Sequence, residues 1–268
     1  MKLDVRHNVP LKEHCTFKIG GMADNFVVVN TEEELSLAKE MDRPFILGNG
    51  SNILFSDQGY RGTIIKLGTG FSKIEVGEDY IEAGAGALLS KVSSAATDAG
   101  LSGLEFASGI PGSVGGGVYM NAGAYDHSLS ELFDNKEGFG YRMSPYKANN
   151  EIVTKARFNL IPADKEKIKN LVRDYTLRRT SRQPLSYPSA GSFFKRPEGH
   201  FAGKLIEDAG LKGYKVGGAQ VSLMHAGFIV NTGNASAEDV KALMRHIQIV
   251  VKTKFDVDLM PEVIIMEE

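Results

Sequence analysis

Residues 109–125, GIPGSVGGGVYMNAGAY, put six glycines into seventeen positions, five of them within the first nine. Without a Cβ, such a backbone is free to take positive φ and to come close to a ligand or to another segment. A solvated linker of this composition would not carry Ile110, Pro111, Val114, Val118, Tyr119 and Met120, all of which gain from burial. The run is therefore expected as a glycine loop inside a fold. Clustered backbone N–H groups of this kind wrap an anion such as a diphosphate. Tight packing of the chain on itself is the other use of so many glycines.

At 268 residues the chain can form one large domain or two to three small ones. A hydrophobic content of 42% and a charged content of 24% suit a soluble globular protein. The net charge of −2 offers no basic footprint for nucleic acid or for an acidic membrane surface. The single cysteine, Cys15, excludes an internal disulfide framework and a multi-cysteine zinc site, and is expected as a small buried hydrophobe. No apolar stretch approaches the roughly 20 residues of a membrane span, and Met1 opens no signal-like segment. A cytoplasmic protein is expected.

Phe26 to Val29 and Phe45 to Leu47 read as short strands. Between them Thr31 caps a helix with Glu32, Glu33 and Glu34 in its first turn, running through about Glu40. Ile53 to Phe55, Gly62 to Leu67 and Tyr80 to Ala85 are strand-like, and Leu88 to Ala99 reads as a helix stopped by Gly100. Asp126 to Asn150 is polar and without period. Ile152 to Leu160 reads as a strand, and Asp164 to Thr180 as an amphipathic helix with Ile168, Leu171, Val172 and Tyr175 on one face. Ala202 to Ala209 reads as helical, Gln220 to Leu223 and Phe228 to Val230 as strands. Ala237 to Thr253 is a long helix opened by Ser236, and Val257 to Met266 an apolar closing strand.

GAGALL at 84–89 mimics a dinucleotide fingerprint but lacks its third glycine and a following acidic ribose partner. There is no Walker loop, no GxSxG elbow and no metal-ligand spacing among the histidines. GNGSN at 48–52, after a strand, suits hydrogen bonding to a phosphate. Three further places look chemical. GFGYRMS at 138–144 sets Arg142 beside Tyr141, with a plain surface arginine as the competing reading. YPSAGSFFKRP at 187–197 puts Ser192 among small residues and ahead of two phenylalanines, so a dry, crowded pocket is expected; a serine that only satisfies a backbone group is the alternative. LMPEVII at 259–265 leaves Glu262 as the one carboxylate in an apolar run. Burial would raise its pKa and make it a proton donor near neutral pH, unless Pro261 breaks the strand at an edge and leaves it wet.

FKIGG (17–21), ILGNGSNILF (46–55), the glycine run, GFGYR, AGSFFKRP, FAGKLIEDAGLKGYKVGGAQVS (201–222), HAGFIVN (225–231) and the closing PEV together resemble one family along almost the whole chain. That family is the UDP-N-acetylenolpyruvoylglucosamine reductases (MurB) of peptidoglycan synthesis, in their shorter type. The resemblance implies an α+β chain: a vanillyl-alcohol-oxidase (PCMH)-type FAD-binding fold with a C-terminal substrate-binding α+β domain. Residues 1–66 with 257–268 would form the first FAD-binding subdomain, 67–162 the second, and 163–256 the UDP-sugar domain. FAD would lie against Gly48, Asn49, Gly50, Ser51 and Asn52, and against Gly109, Pro111, Gly112, Ser113, Gly115, Gly116, Asn121, Ala122 and Gly123. NADPH would reduce it and then yield the cleft to UDP-N-acetylglucosamine enolpyruvate.

By the same resemblance Arg142 and Glu262 match the arginine and glutamate that stabilise charge building on the enolpyruvyl carboxylate as flavin N5 delivers hydride. Ser192 matches the serine that protonates the carbanion. Arg182 matches a basic residue at the UDP diphosphate, against a simple helix-end arginine, with Tyr141, Lys195 and Arg196 as further substrate contacts. No metal, nucleic acid or membrane partner is implied, and the chain is expected to act as a monomer.

Between Tyr125 and Gly138 the family usually carries a longer piece with a strand pair, where only DHSLSELFDNKE stands here. Two other readings stay open. One is an FAD-dependent oxidoreductase of the same fold with another substrate; the other is a non-catalytic flavin- or sugar-nucleotide-binding relative.

Overall fold

The computed structural model describes residues 3–267 and falls into two units. The first comprises the chain up to Val5, Phe26–Asn49 and Thr63–Ser181; the second comprises Arg6–Asn25, Gly50–Gly62 and the chain from Arg182 onward.

In the first unit the strand Pro44–Leu47 pairs in parallel with residues 63–66 of the strand Tyr60–Leu67, Pro44 opposite Thr63 and Leu47 opposite Lys66. Ile46 and Ile65, neighbours across this pair, pack with Val27, Val29 and Leu35. Leu35 comes from helix α1 (Glu32–Lys39), whose cap is Thr31: its Oγ1 accepts the Glu34 N–H at 3.2 Å. Three glutamates then meet the positive end of the helix.

Tyr80–Gly84 is the central strand of an antiparallel sheet, between Lys155–Asn159 and Ile74–Val76. Ile81 stands opposite Phe158 and Val76, Ala83 opposite Ala156 and Ile74. Ile81, Ala83 and Phe158 share a core with Leu89, Val92 and Ala96 of α2 (Leu89–Ala99). The alternate residues are wet: Lys155 Nζ lies 3.0 Å from Glu82, and Arg157 sits 3.5 Å over the Tyr80 ring. This period of two marks a sheet with one buried face. Helix α2 stops at Gly100, at φ 76°, as a left-handed cap.

The middle of the glycine run is a helix rather than the expected loop. Ser113 caps α3 (Val114–Tyr119), its Oγ accepting the Gly116 N–H at 3.3 Å. Among the described residues, no glycine of the run takes positive φ. Proximity explains Gly115 and Gly117 instead. A Cβ on Gly115 would lie 2.8 Å from the Ala85 Cβ, and one on Gly117 2.8 Å from Leu89 Cδ1. Positive φ falls on Asn121 (43°), Tyr125 (57°) and Asp126 (64°). The last two form the two-residue turn of a hairpin between Gly123–Ala124 and His127–Ser128.

The stretch without sequence period carries that hairpin, a 3-10 turn at Leu129–Leu132 and helix α4 (Pro145–Asn149). Side-chain caps define the latter two: Ser128 with Glu131, and Ser144 on the Lys147 N–H. In α5 (Lys165–Arg182) the inward stripe is narrower than predicted, because Leu171 is 38% exposed. Ile168, Val172, Tyr175 and Arg179 follow the helical period on the covered side.

In the second unit four antiparallel strands run in the order Ser189–Ser192, Phe228–Asn231, Ala219–Val221, Lys215–Val216. Helix α6 (Ala202–Asp208) and the two inner and outer strands Ala219–Val221 and Lys215–Val216 contact α7 (Ala237–Phe255), which buries Val240, Leu243, Ile247 and Val251. Ser236 caps α7, and Asp239 accepts the N–H groups of Ser236 (3.0 Å) and Gly218 (3.1 Å), bonds that hold its carboxyl below the ordinary range. The closing strand is shorter than predicted: only Ile264–Met266 is strand, parallel to Ile53–Phe55. Pro261, lacking an N–H, makes one isolated bridge to Phe194 instead. Cys15 is buried, and its thiol donates to the Ile19 carbonyl at 3.3 Å. No helix among the described residues is long and apolar enough to cross a membrane.

Candidate active site

In the second unit Ser192 is presented by a β-bulge. Ser189 pairs with Val230 and Ser192 with Phe228, so Ala190 and Gly191 together face Ile229. Gly191 has φ 79°, and a Cβ there would meet nothing within 4 Å. The backbone, not space, demands glycine. Ser192 comes out exposed while Phe193 and Phe194 enter the core, so the crowded pocket expected around Ser192 is absent within its own unit.

Beyond Ser192 the chain runs antiparallel to the segment that carries Glu262. Phe194 bridges Pro261, the Glu262 N–H donates to the Phe193 carbonyl at 2.8 Å, and the Lys195 N–H to the Met260 carbonyl at 2.9 Å. Two candidates far apart in sequence thus come alongside. Glu262 is half-buried, next in sequence to the buried Val263. Asn52 Nδ2 donates to the Glu262 carbonyl at 3.2 Å, and the Ile264 N–H to the Asn52 carbonyl at 3.0 Å. Gly50 sits at φ 64°, where a Cβ would run into the His14 carbonyl. Its own carbonyl accepts the Thr16 N–H at 3.0 Å, and Thr16 Oγ1 donates to the Ser189 carbonyl at 2.7 Å. The Gly50–Asn52 part of GNGSN, with Ser51 half-buried between, is therefore fastened to both catalytic candidates of this unit. Arg182 and Arg196 are exposed, Arg196 lying 4.6 Å over the Phe201 ring; Lys195 is half-buried.

In the first unit Gly48 and Asn49 seat on the glycine run. Asn49 Nδ2 donates to the Pro111 carbonyl at 2.6 Å, and a Cβ on Gly48 would lie 2.7 Å from Ser113 Oγ. Gly112, Ser113 and Asn121 are buried, Gly109, Gly115, Ala122 and Gly123 half-buried, and Pro111 and Gly116 exposed. Arg142 stands at the tip of a two-residue turn, where Gly140 and Met143 exchange backbone hydrogen bonds of 3.1 Å each. At φ 57° its guanidinium donates to the carbonyls of Asn121 and Gly123, both at 3.4 Å, and lies 4.9 Å from the ring of exposed Tyr141.

One residue escaped the sequence reading. Arg179 lies against the first glycine of the run: a Cβ on Gly109 would be 2.6 Å from its Cδ and 3.3 Å from its Nε. Its neighbour Arg178 points outward to Asp174 at 2.9 Å. Among the described residues Arg179 has no hydrogen bond or ion pair, and burial pulls its pKa down. The signal was available as an arginine at the helical period after Ile168, Val172 and Tyr175.

Residues 24–139 match the FAD binding domain family. Residues 183–266 match the family described as UDP-N-acetylenolpyruvoylglucosamine reductase, C-terminal domain. The UDP-N-acetylenolpyruvoylglucosamine reductase of Clostridium beijerinckii is 49% identical, covering 98% of this chain and 93% of its own. That of Agathobacter rectalis is 46% identical over 98% and 94%. The former alignment spans 285 residues against 268 here, so that relative has residues with no counterpart in this chain. The solved structure of UDP-N-acetylenolpyruvylglucosamine reductase (MurB) from Thermus caldophilus superposes with a TM-score of 0.84 at 36% identity, over 100% of both chains. The architecture is the vanillyl-alcohol-oxidase (PCMH)-type FAD-binding fold with a C-terminal substrate-binding α+β domain. With relatives this similar along nearly its full length, the chain belongs to the UDP-N-acetylenolpyruvoylglucosamine reductase family.

Proposed function

We propose that this chain reduces the enolpyruvyl group of UDP-N-acetylglucosamine enolpyruvate to the lactyl ether, giving UDP-N-acetylmuramate for peptidoglycan synthesis, with NADPH as the electron source. The observation that carries the assignment of residues is the bond between Glu262 and Phe193, which brings the segments of Ser192 and Glu262 alongside each other.

The residues present fit FAD. At Gly48 a Cβ would collide with the Ser113 hydroxyl and at Gly50 with the His14 carbonyl, so the backbone of GNGSN is fixed by its own packing. Arg179, half-buried beside Gly109 without a protein partner, is the kind of cation a diphosphate satisfies. FAD held there would supply the hydride chemistry that connects NADPH with the enolpyruvyl group of the substrate. Arg142 provides a fixed cation for the substrate carboxylate, where negative charge accumulates as hydride arrives. Glu262 is the second group that polarises this centre. The Ser192 hydroxyl gives its proton to the neighbouring carbon and recovers one from solvent; its exposure leaves it open to a ligand. Arg182, Lys195, Arg196 and Tyr141 are assigned to the UDP-sugar, within the three-part division of the chain at residues 66, 162 and 256. A monomer working in the cytoplasm, where the nucleotide sugar and NADPH are available, completes the proposal.

The test is anaerobic rapid-mixing absorbance of the flavin band. NADPH should bleach it, and UDP-N-acetylglucosamine enolpyruvate should restore it. Bleaching without recovery would point to another acceptor. A protein that takes up no FAD on reconstitution would overturn the reading.

A further inference from the structure

We propose that Asn121 is a positioning residue for Arg142, gripping the base of the turn that carries it; the proposal rests on the catalytic reading of Arg142. Asn121 is 3% exposed, at φ 43°, just past the end of α3. Its side-chain amide is committed inside the protein. Nδ2 donates to the Gly140 carbonyl at 2.8 Å and to Ser130 Oγ at 3.1 Å, while Oδ1 accepts the Ser130 N–H at 3.0 Å. The backbone carbonyl of the same residue accepts from the Arg142 guanidinium at 3.4 Å.

Asn121 thereby touches Arg142's turn at two levels, its base through Gly140 and its tip through the guanidinium. The Gly140 carbonyl already accepts the Met143 N–H at 3.1 Å, so the asparagine uses the second lone pair of that oxygen. The other foot of the turn is pinned beside it: Ser144 Oγ donates to the Tyr119 carbonyl at 2.7 Å. Both feet therefore stand on the C-terminal end of α3, whose last carbonyls have no partner within the helix. The residue type follows from the demands on it. It must tolerate left-handed φ, donate to Gly140 and accept from Ser130 at once, which asparagine does and aspartate does not. The chemistry needs the guanidinium held within a fraction of an ångström, and a turn two residues wide has no stiffness of its own.

Asn121→Gly keeps the left-handed backbone and removes the grip. In the reconstituted holoenzyme, compared at full flavin occupancy, substrate-driven recovery at saturating substrate should slow by about 100-fold, the scale of a 1 Å misplacement, and by a much larger factor than NADPH-driven bleaching. Arg142→Lys should slow the same step, and the double variant should be no slower than Arg142→Lys alone, because the two act as one unit. Multiplied losses in the double variant, or unchanged recovery in Asn121→Gly, would overturn the positioning role. An equal slowing of bleaching would also overturn it, because Asn121 would then act through the flavin and not through Arg142. If Arg142→Lys leaves recovery intact, the reading of Arg142 fails instead. Asn121→Asp, isosteric and still able to accept from Ser130, carries the same comparison where the glycine variant is unstable.

Discussion

Glu262 donates its backbone N–H to the carbonyl of Phe193 at 2.8 Å, one residue beyond Ser192. Because the link is made by main-chain atoms, it does not depend on the serine hydroxyl. Phe193 and Phe194, both buried, anchor the same stretch from below. A side-chain substitution at Ser192 therefore reports on chemistry with the scaffold preserved.

Ser192→Ala removes an exposed hydroxyl that makes no contact in the core. Its stability should stay within about 0.5 kcal/mol of the parent, as for other surface changes. Bleaching by NADPH should be unaffected, and recovery with substrate should slow by about 10²- to 10⁴-fold, the usual loss when a positioned proton donor is deleted. Undiminished recovery would remove Ser192 from the mechanism.

Gly191→Ala separates aim from chemistry. The added methyl meets no atom within 4 Å, so only the left-handed backbone resists it, at about 1–2 kcal/mol. Relief of that strain would flatten the bulge and turn Ser192. Denaturant unfolding should show the stability loss, and the recovery step should slow without any change at Ser192 itself. A destabilised variant with normal recovery would mean that the bulge does not aim the serine.

Arg179→Gln tests the cofactor site. FAD affinity, followed by flavin fluorescence in the apoprotein, should fall by about tenfold or more, as when a charge-assisted bond is lost. Riboflavin, which has no phosphate, should bind the variant and the parent alike. Unfolding of the apoprotein should occur at no lower denaturant concentration, because the side chain has no protein partner to lose. A lower midpoint with unchanged FAD affinity would assign Arg179 to packing.

Much of this arrangement was legible because local chemistry and tertiary structure agree. Thr31 and Ser236 cap the helices they were expected to open, and Gly100 ends the helix it was expected to end. The glycine run misled in a physical way. Gly115 and Gly117 are helical and small because Ala85 and Leu89 lie against them, partners that sequence spacing does not reveal. Ser192 misled likewise: two following phenylalanines suggested a crowded pocket, but a bulge at Gly191 sends them inward and the serine outward. The segment 126–150 has no hydrophobic period because side-chain caps at Ser128 and Ser144, and the buried amide of Asn121, hold its shape.

His225 gives a pH dependence independent of the flavin. Its Nδ1 accepts the Gly227 N–H at 3.0 Å, and the ring stands edge-on to Phe228 at 5.1 Å. A protonated Nδ1 could not accept that bond, and burial lowers the folded-state pKa below the ordinary 6.5. Below about pH 6.5 the unfolded chain binds a proton that the folded chain refuses, so the stabilisation is complete above that pH and declines as pH falls through it. Denaturant midpoints compared between about pH 7.5 and about pH 5.5 should drop in the parent. His225→Asn keeps an acceptor for Gly227 but has nothing to titrate, so its drop over the same interval should be smaller, and carboxylates are ionised throughout. An equal drop in both proteins would place the pH dependence elsewhere.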